Sequence, residues 1–181
     1  MWYGCKMISE SYLEQQKELH KNPEYGVASL AFAPIVAKLM VDNQVKVISD
    51  YGAGKKNLEK ALRGAGLEFE YRPYDPAFPE YGPAQEGEMV CCIDVLEHVE
   101  PEFIDAVLED LVRIMPRIGF LSIHTRPATK VLSDGRNAHL TVEPARWWLP
   151  RLCKYFHIHH LQHHQLMGEG FWVVVSANTQ A

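Results

Sequence analysis

The sequence predicts an α/β fold: a mostly parallel, doubly wound sheet that ends in an antiparallel hairpin and follows a helical lead-in. Three observations carry this. Val45-Lys46-Val47-Ile48-Ser49-Asp50 is rich in β-branched residues and runs through Tyr51-Gly52-Ala53-Gly54 into Leu58, Ala61 and Leu62 at helical spacing. Met89-Val90-Cys91-Cys92-Ile93 is an unbroken apolar run, as a central strand buried on both faces requires, and an amphipathic helix pattern follows it. Near the end, two strand-like runs meet at Gly168-Glu169-Gly170, a hairpin signal.

Taken in order, Glu10 to His20 is polar and helix-prone, with Tyr12, Leu13, Gln16 and Leu19 as an apolar edge. Asn22-Pro23 ends it, because Pro restricts the residue before it. Val27 to Met40 reads as a second helix with Leu30, Ile35, Val36 and Leu39 inward and Pro34 as a flaw. Residues 1–43 thus form a lead-in expected to cover the sheet, and 44–181 the core of a single domain. Tyr25, between the helices, is expected to pack as an ordinary aromatic rather than line a pocket.

The first strand ends at Asp50, and a helix starts near Lys56. Gly64-Ala65-Gly66 stops that helix, and Leu67 to Tyr74 gives a second strand ending at Asp75-Pro76. Pro76 to Gly87 holds three prolines and two glycines and reads as a loop with at most one helical turn. After the Met89–Ile93 strand comes a helix over 102–115, closed by Pro116. Ile118 to Ile123 is a further strand, followed by a polar loop. Pro144 opens a helix bearing Trp147, Trp148, Leu149 and Leu152. The final strands span roughly 156–166 and 171–177.

Composition narrows the function classes. The chain has 181 residues, enough for one domain, and 47% are hydrophobic, enough for a sizeable core. The formal net charge of −5 argues against a dedicated nucleic-acid binder. None of the four cysteines forms a C-x-x-C pair, which fits a reduced, cytoplasmic setting. Met1–Tyr12 lacks the charged head and apolar core of a leader, and no apolar run reaches the length of a membrane span.

A strand, a glycine turn and a helix N-terminus form a nucleotide site past the strand ends. Here Asn57 stands where the dinucleotide fingerprint has its third glycine, and no Walker sequence follows. Asp75, one strand over, is placed to accept hydrogen bonds from two vicinal ribose hydroxyls.

Asp50-Tyr51-Gly52-Ala53-Gly54, Asp75, Asp94-Val95-Leu96-Glu97-His98-Val99 and the terminal hairpin together resemble a class I S-adenosylmethionine-dependent methyltransferase over nearly the whole chain after Val45. The resemblance implies a Rossmann-like sheet of seven strands with its last strand antiparallel, and S-adenosyl-L-methionine at the strand tips. Its methionine end would lie near Asp50 and Gly52, its ribose on Asp75 and its adenine near the Asp94 strand. Asp50, Tyr51, Gly52, Gly54, Asp75, Pro76, Asp94 and Val95 are therefore the expected cofactor contacts. Lys56 departs from the family pattern, which often has glycine there.

Methyl transfer from a sulfonium is an in-line displacement, so the protein mainly holds donor and acceptor together. A hydroxyl or amine acceptor also needs a base near the methyl group. Glu97, His98 and His139 are the expected catalytic groups. His124, Arg126, Lys130 and Arg136, in one polar loop region, are the expected contacts of a small anionic acceptor. Glu97, His98 and His139 could instead hold a divalent metal, similar to metal-dependent RNA 2′-O-methyltransferases. The expectation adopted is a metal-free site, because Glu-His at this point often caps the following helix. Strand alternation sends His157, His159 and His163 to one face and His160 and His164 to the other, so these do not form a metal site.

The Asn/Asp-Pro-Pro-aromatic stretch of DNA amino-methyltransferases is absent, and Cys91 and Cys92 lie inside a strand rather than in a nucleophile loop. A small-molecule acceptor follows. A non-catalytic binding module and a nicotinamide oxidoreductase stay open as alternatives. The short chain and His-rich last strands leave room for a homodimer.

Overall fold

The computed structural model describes residues 7–166 and 168–178. Cys5 and the part of the expected leader-free stretch before Met7 lie outside them. The lead-in consists of α1 (Glu10–Leu19) and α2 (Ala28–Asp42). The core runs β1 (Val47–Tyr51), α3 (Asn57–Gly64), β2 (Glu70–Tyr74), β3 (Met89–Ile93), α4 (Ile104–Ile114), β4 (Ile118–His124), α5 (Ala145–Tyr155), β5 (Phe156–His164) and β6 (Gly170–Ala177). The sheet has the order β2-β1-β3-β4-β6-β5. The first four strands are parallel, and β6 is antiparallel to both β4 and β5.

Among the described residues the sheet has six strands, not the expected seven. The missing one would fall in Pro76–Gly87, where Pro76, Pro79 and Pro83 remove backbone donors. Only a 3-10 turn, Pro79–Tyr81, forms there. β2 is therefore an edge strand, which also accommodates Pro73.

Period-2 alternation divides the core between two helical layers. Met89 and Cys91 of β3 face Phe32, Val36 and Met40 of α2 and Leu58 and Leu62 of α3. Val90 and Cys92 face Leu108 and Leu111 of α4 and Trp148 and Leu152 of α5. Each such fully buried aliphatic side chain contributes roughly 1.5–3 kcal/mol. Pro34 is exposed within α2, on the face where water can serve the carbonyl it cannot. The expected helix over 102–115 opens with a 3-10 turn, Pro101–Phe103, before α4.

The lead-in divides its labour. α2 lies on the sheet as expected, but α1 does not. Its buried residues are Tyr12 and Gln16, and Tyr12 packs with Leu132 and Ala138 of the β4–α5 loop. Ser9 caps α1 and is itself held by Glu100, which accepts from its backbone N–H and its hydroxyl at 2.7 Å each. Lys55 Nζ donates to the carbonyls of Asn22 (2.6 Å) and Pro23 (2.9 Å), tying the α1–α2 turn to the glycine loop.

The histidines of β5 are also rearranged. Ile158 pairs with Val175 and His160 with Val174, which leaves His159 as the extra residue of a bulge. Alternation restarts there. His157, His160 and His164 share the Trp172 and Val174 face, and His163 lies on the Phe171 face. His164 is buried against Phe32 and His124, while its four neighbours in the strand are exposed.

Candidate active site

The C-terminal tips of β1, β2 and β3 open into one cleft, roofed by α1 and the turn after it. It encloses about 1060 Å³ of empty space including its mouth. Asp50, Tyr51, Gly52, Gly54, Asp75, Pro76, Asp94 and Val95 all line it, as do Tyr12, Gln16, His20, Tyr25 and His98.

The glycine loop is held by its own backbone. Gly52 and Ala53 donate N–H bonds to the carbonyl of Tyr74 at 2.8 and 2.9 Å. Gly52 has φ +80°, and a Cβ there would lie 2.4 Å from Val95 Cγ2. Only glycine fits both restraints. Lys56 adopts φ +57° at the start of α3, so the left-handed turn is made without the family's glycine. Its ammonium sits 4.4 Å from the centre of the Tyr81 ring.

Asp75 is buried at the tip of β2. One carboxylate oxygen accepts from Gly54 N–H (2.9 Å) and the other from Ala77 N–H (2.8 Å). Burial raises its pKa against these bonds, which lower it. Asp50 is buried more completely, is pushed up to about 7 by desolvation, and accepts a hydrogen bond from the Tyr71 hydroxyl.

The roof contributes aromatic and polar groups. Tyr25 does not merely pack. It lines the cleft, donates its hydroxyl to Gln16 Oε1 at 3.1 Å, and sets its ring edge against His20 and His98. Burial pushes Tyr25 up to about 12 and His20 down to about 4. His98 is turned by a 2.8 Å bond between Nδ1 and the carbonyl of Ala138, which assigns the proton to Nδ1 and leaves Nε2 free. Burial pushes its pKa down to about 4, so the ring is neutral.

Beyond His98 the tips of β3 and β4 hold a second group. Asp94 has φ +59°, rare for a non-glycine residue, and its N–H bonds to Ser122 Oγ at 3.0 Å. Glu97 is fully buried and accepts the N–H of His124 at 2.6 Å. Desolvation, then the neighbouring Asp94 carboxylate, push Glu97 well up. His124 Nδ1 lies 3.3 Å from Asp94 Oδ1. His139 Nδ1 bonds to the carbonyl of Arg126 at 2.6 Å, and its ring meets His98 edge-on at 4.7 Å. Asp94, Glu97, His124 and His139 present ligand atoms within 4.8 Å of one another. Glu97, His124 and His139 stand behind the cleft wall rather than on it.

The loop cations are dispersed. Arg126 pairs with Glu169 at 2.8 Å, and Arg136 pairs with Asp134 at 2.8 Å while lying over the Tyr12 ring. Lys130 is exposed. None of the three lines the cleft. The sequence concealed this because the acids that neutralise two of them come from the β5–β6 hairpin and from two residues upstream.

No family model matches the chain, and no curated protein matches it in sequence. Solved structures do. The 1,6-didemethyltoxoflavin-N1-methyltransferase of Burkholderia thailandensis, solved with S-adenosylhomocysteine, superposes with a TM-score of 0.68 at 10% identity, over 97% of this chain and 93% of that one. The magnesium protoporphyrin IX methyltransferase of Synechocystis with S-adenosylhomocysteine gives a TM-score of 0.56 at 10% identity, over 93% and 95%. The N-methyltransferase NodS of Bradyrhizobium japonicum, also with S-adenosylhomocysteine, gives 0.55 at 10% identity, over 93% and 99%. The chain thus has the Rossmann-like fold of the class I S-adenosylmethionine-dependent methyltransferases.

Proposed function

We propose that the protein transfers a methyl group from S-adenosyl-L-methionine to a small-molecule acceptor held under the α1 roof. One juxtaposition carries the reading: a backbone cradle at Gly52–Gly54 and the buried Asp75 carboxylate face the same cleft as the neutral imidazole of His98. The cradle is the kind of surface an adenosyl group needs. Gly52 and Val95 meet too closely for any side chain, and Asp75 sits one strand away with acceptor lone pairs to spare.

S-adenosylmethionine supplies an electrophilic methyl group carried on a sulfonium. The chain's residues do the rest. Asp75 and the glycine loop fix the adenosyl end, and the roof residues Tyr12, Gln16 and Tyr25 exclude water. His98, with Nδ1 pinned by Ala138, offers Nε2 as the base for an acceptor proton. Glu97 and His139 support this group from behind, Glu97 by fixing the end of β4 and His139 by packing against His98. Because Arg126 and Arg136 are already paired, the reading carries no preference for an anionic acceptor. The compared enzymes named for didemethyltoxoflavin and magnesium protoporphyrin IX support a small molecule. Among the described residues no helix is long and apolar enough to cross a membrane.

Isothermal titration with S-adenosylhomocysteine should show micromolar binding, and NADH should show none. Methyl-labelled S-adenosylmethionine, incubated with a metabolite extract and followed by mass spectrometry, identifies the acceptor. Tight NADH binding would replace this reading with an oxidoreductase. Cofactor binding without label transfer would leave a binding module.

A further inference from the structure

We infer that Asp94, Glu97, His124 and His139 form a binding site for one divalent transition-metal ion, and that the ion presents an acceptor oxygen to the cleft. The four ligand atoms lie within 4.8 Å of one another. Around a cation with bonds of about 2.1 Å, ligand atoms stand roughly 3–4 Å apart, so the widest separation in the set needs to contract by roughly 1–2 Å.

The second observation is independent of that clustering. Asp94 Oδ1, Glu97 Oε2 and His124 Nε2 are all buried and have no hydrogen-bond partner. Each such atom costs about 1–3 kcal/mol when left unsatisfied. They belong to three residues of that cluster, two of them carboxylates that repel each other. His124 Nδ1, 3.3 Å from Asp94 Oδ1, leaves Glu97 Oε2 unmet, so the carboxylates lack a common positive partner. A divalent ion supplies it.

The surroundings fit ligation too. A metal-binding imidazole usually donates its other ring N–H to a carbonyl or carboxylate, which fixes the tautomer. His139 does this through Nδ1 to the Arg126 carbonyl at 2.6 Å. Glu97 is fixed at its backbone, where its carbonyl accepts Thr141 N–H at 2.9 Å. Two imidazoles with two carboxylates suit Zn²⁺, Mn²⁺, Fe²⁺ or Co²⁺ better than Mg²⁺ or Ca²⁺, which prefer all-oxygen sets.

Asp94 is the one member of the four that lines the cleft, so an open coordination position would face the acceptor there. This part rests on the methyltransferase reading and sharpens it: the acceptor atom is an oxygen. A hydroxyl held on a divalent cation ionises more readily, which an amine acceptor does not need.

Untagged protein, dialysed against chelator, is titrated with Co²⁺ and followed by visible absorption and calorimetry, with S-adenosylhomocysteine titrated separately. One Co²⁺ per chain with visible ligand-field bands is expected. Both Glu97→Gln and His139→Gln should weaken Co²⁺ binding roughly 100-fold or more, while S-adenosylhomocysteine affinity stays within a few-fold. His139→Gln serves should Glu97→Gln fail to fold. The inference is overturned if protein that binds S-adenosylhomocysteine takes up no Co²⁺, Zn²⁺ or Mn²⁺, since Glu97 is then simply a protonated acid beside Asp94. It is equally overturned if Co²⁺ binds but only His159→Gln/His160→Gln, on the exposed strand, removes it. Metal uptake without S-adenosylhomocysteine binding would sink the methyltransferase reading and leave the metal site standing.

Discussion

The two walls of the cleft are built by opposite means. On the glycine-loop side the backbone turn and its carboxylate are partnered: Gly52 and Ala53 bond to Tyr74, and both oxygens of Asp75 bond to backbone N–H groups, while His20 Nδ1 beside Gly54 is the buried exception. On the β3–β4 side the side chains of Asp94, Glu97 and His124 carry buried atoms with none. The first wall's turn and carboxylate are complete as folded. The second, with Asp94 on the cleft surface and Glu97 and His124 behind it, is unfinished, and unmet buried bonds of that kind call for a partner the fold itself does not supply.

The severest way to break this contrast is Gly52→Val. The added side chain meets Val95 at a backbone angle that L-residues avoid, which costs about 2 kcal/mol or more. S-adenosylhomocysteine binding should vanish in calorimetry, and chemical denaturation should show the loss of stability. Asp75→Ala comes next. It removes the charged partner of two backbone N–H groups, and cofactor affinity should fall roughly 30- to 100-fold, equivalent to about 2–3 kcal/mol. Unchanged affinity would mean that Asp75 merely closes its own turn.

Glu97→Gln separates the walls. The amide still accepts the His124 N–H, so the fold and cofactor affinity should hold within about 1 kcal/mol, while turnover drops at least tenfold in the label-transfer assay. Equal losses in binding and turnover would dissolve the distinction. Tyr25→Phe probes the roof and removes one bond, to Gln16, for about 1 kcal/mol. A small rise in KM with kcat unchanged is expected.

The mildest effect is on pH dependence. His20 titrates near 4 when folded, below its ordinary 6.5, so the folded state binds the proton less well than the unfolded chain. Its contribution is therefore intact above about pH 6.5 and is lost as pH falls towards 4. Asp50, raised to about 7, has the opposite sign: its folded form holds the proton more tightly, and stability is lost as pH rises towards 7. Comparing melting temperatures of wild type and His20→Phe at pH 7.5 and 4.5 isolates the first effect. The variant should lose less on acidification.

The difference between the walls also explains what could be read from the sequence. The cradle is local: one strand, two glycines and one helix in fourteen consecutive residues, with Asp75 a single crossover away. Such features leave a pattern in the chain. The other wall joins residues 94, 97, 124 and 139 from three segments, and nothing in their spacing requires that they meet. His98 and Glu97 stand out as a pair, yet His124 reads as a loop residue until β4 is seen to end on it. The roof was hidden for another reason. A helix that covers a polar cleft buries Tyr12 and Gln16 rather than a stripe of leucines, so α1 looks like a surface helix with an apolar edge. The seventh strand failed because family resemblance speaks for topology in general, whereas three prolines in Pro76–Gly87 speak for this chain.

The displaced register of β5 reaches beyond the cleft. An outermost strand with free N–H and C=O groups invites another strand to dock alongside it, and unbroken pairing of that kind propagates into aggregates. Here the extra residue at His159 kinks the rail, and four outward imidazoles crowd it. A bent, polar rail offers a second copy no regular run of partners, so the sheet's own border limits its growth.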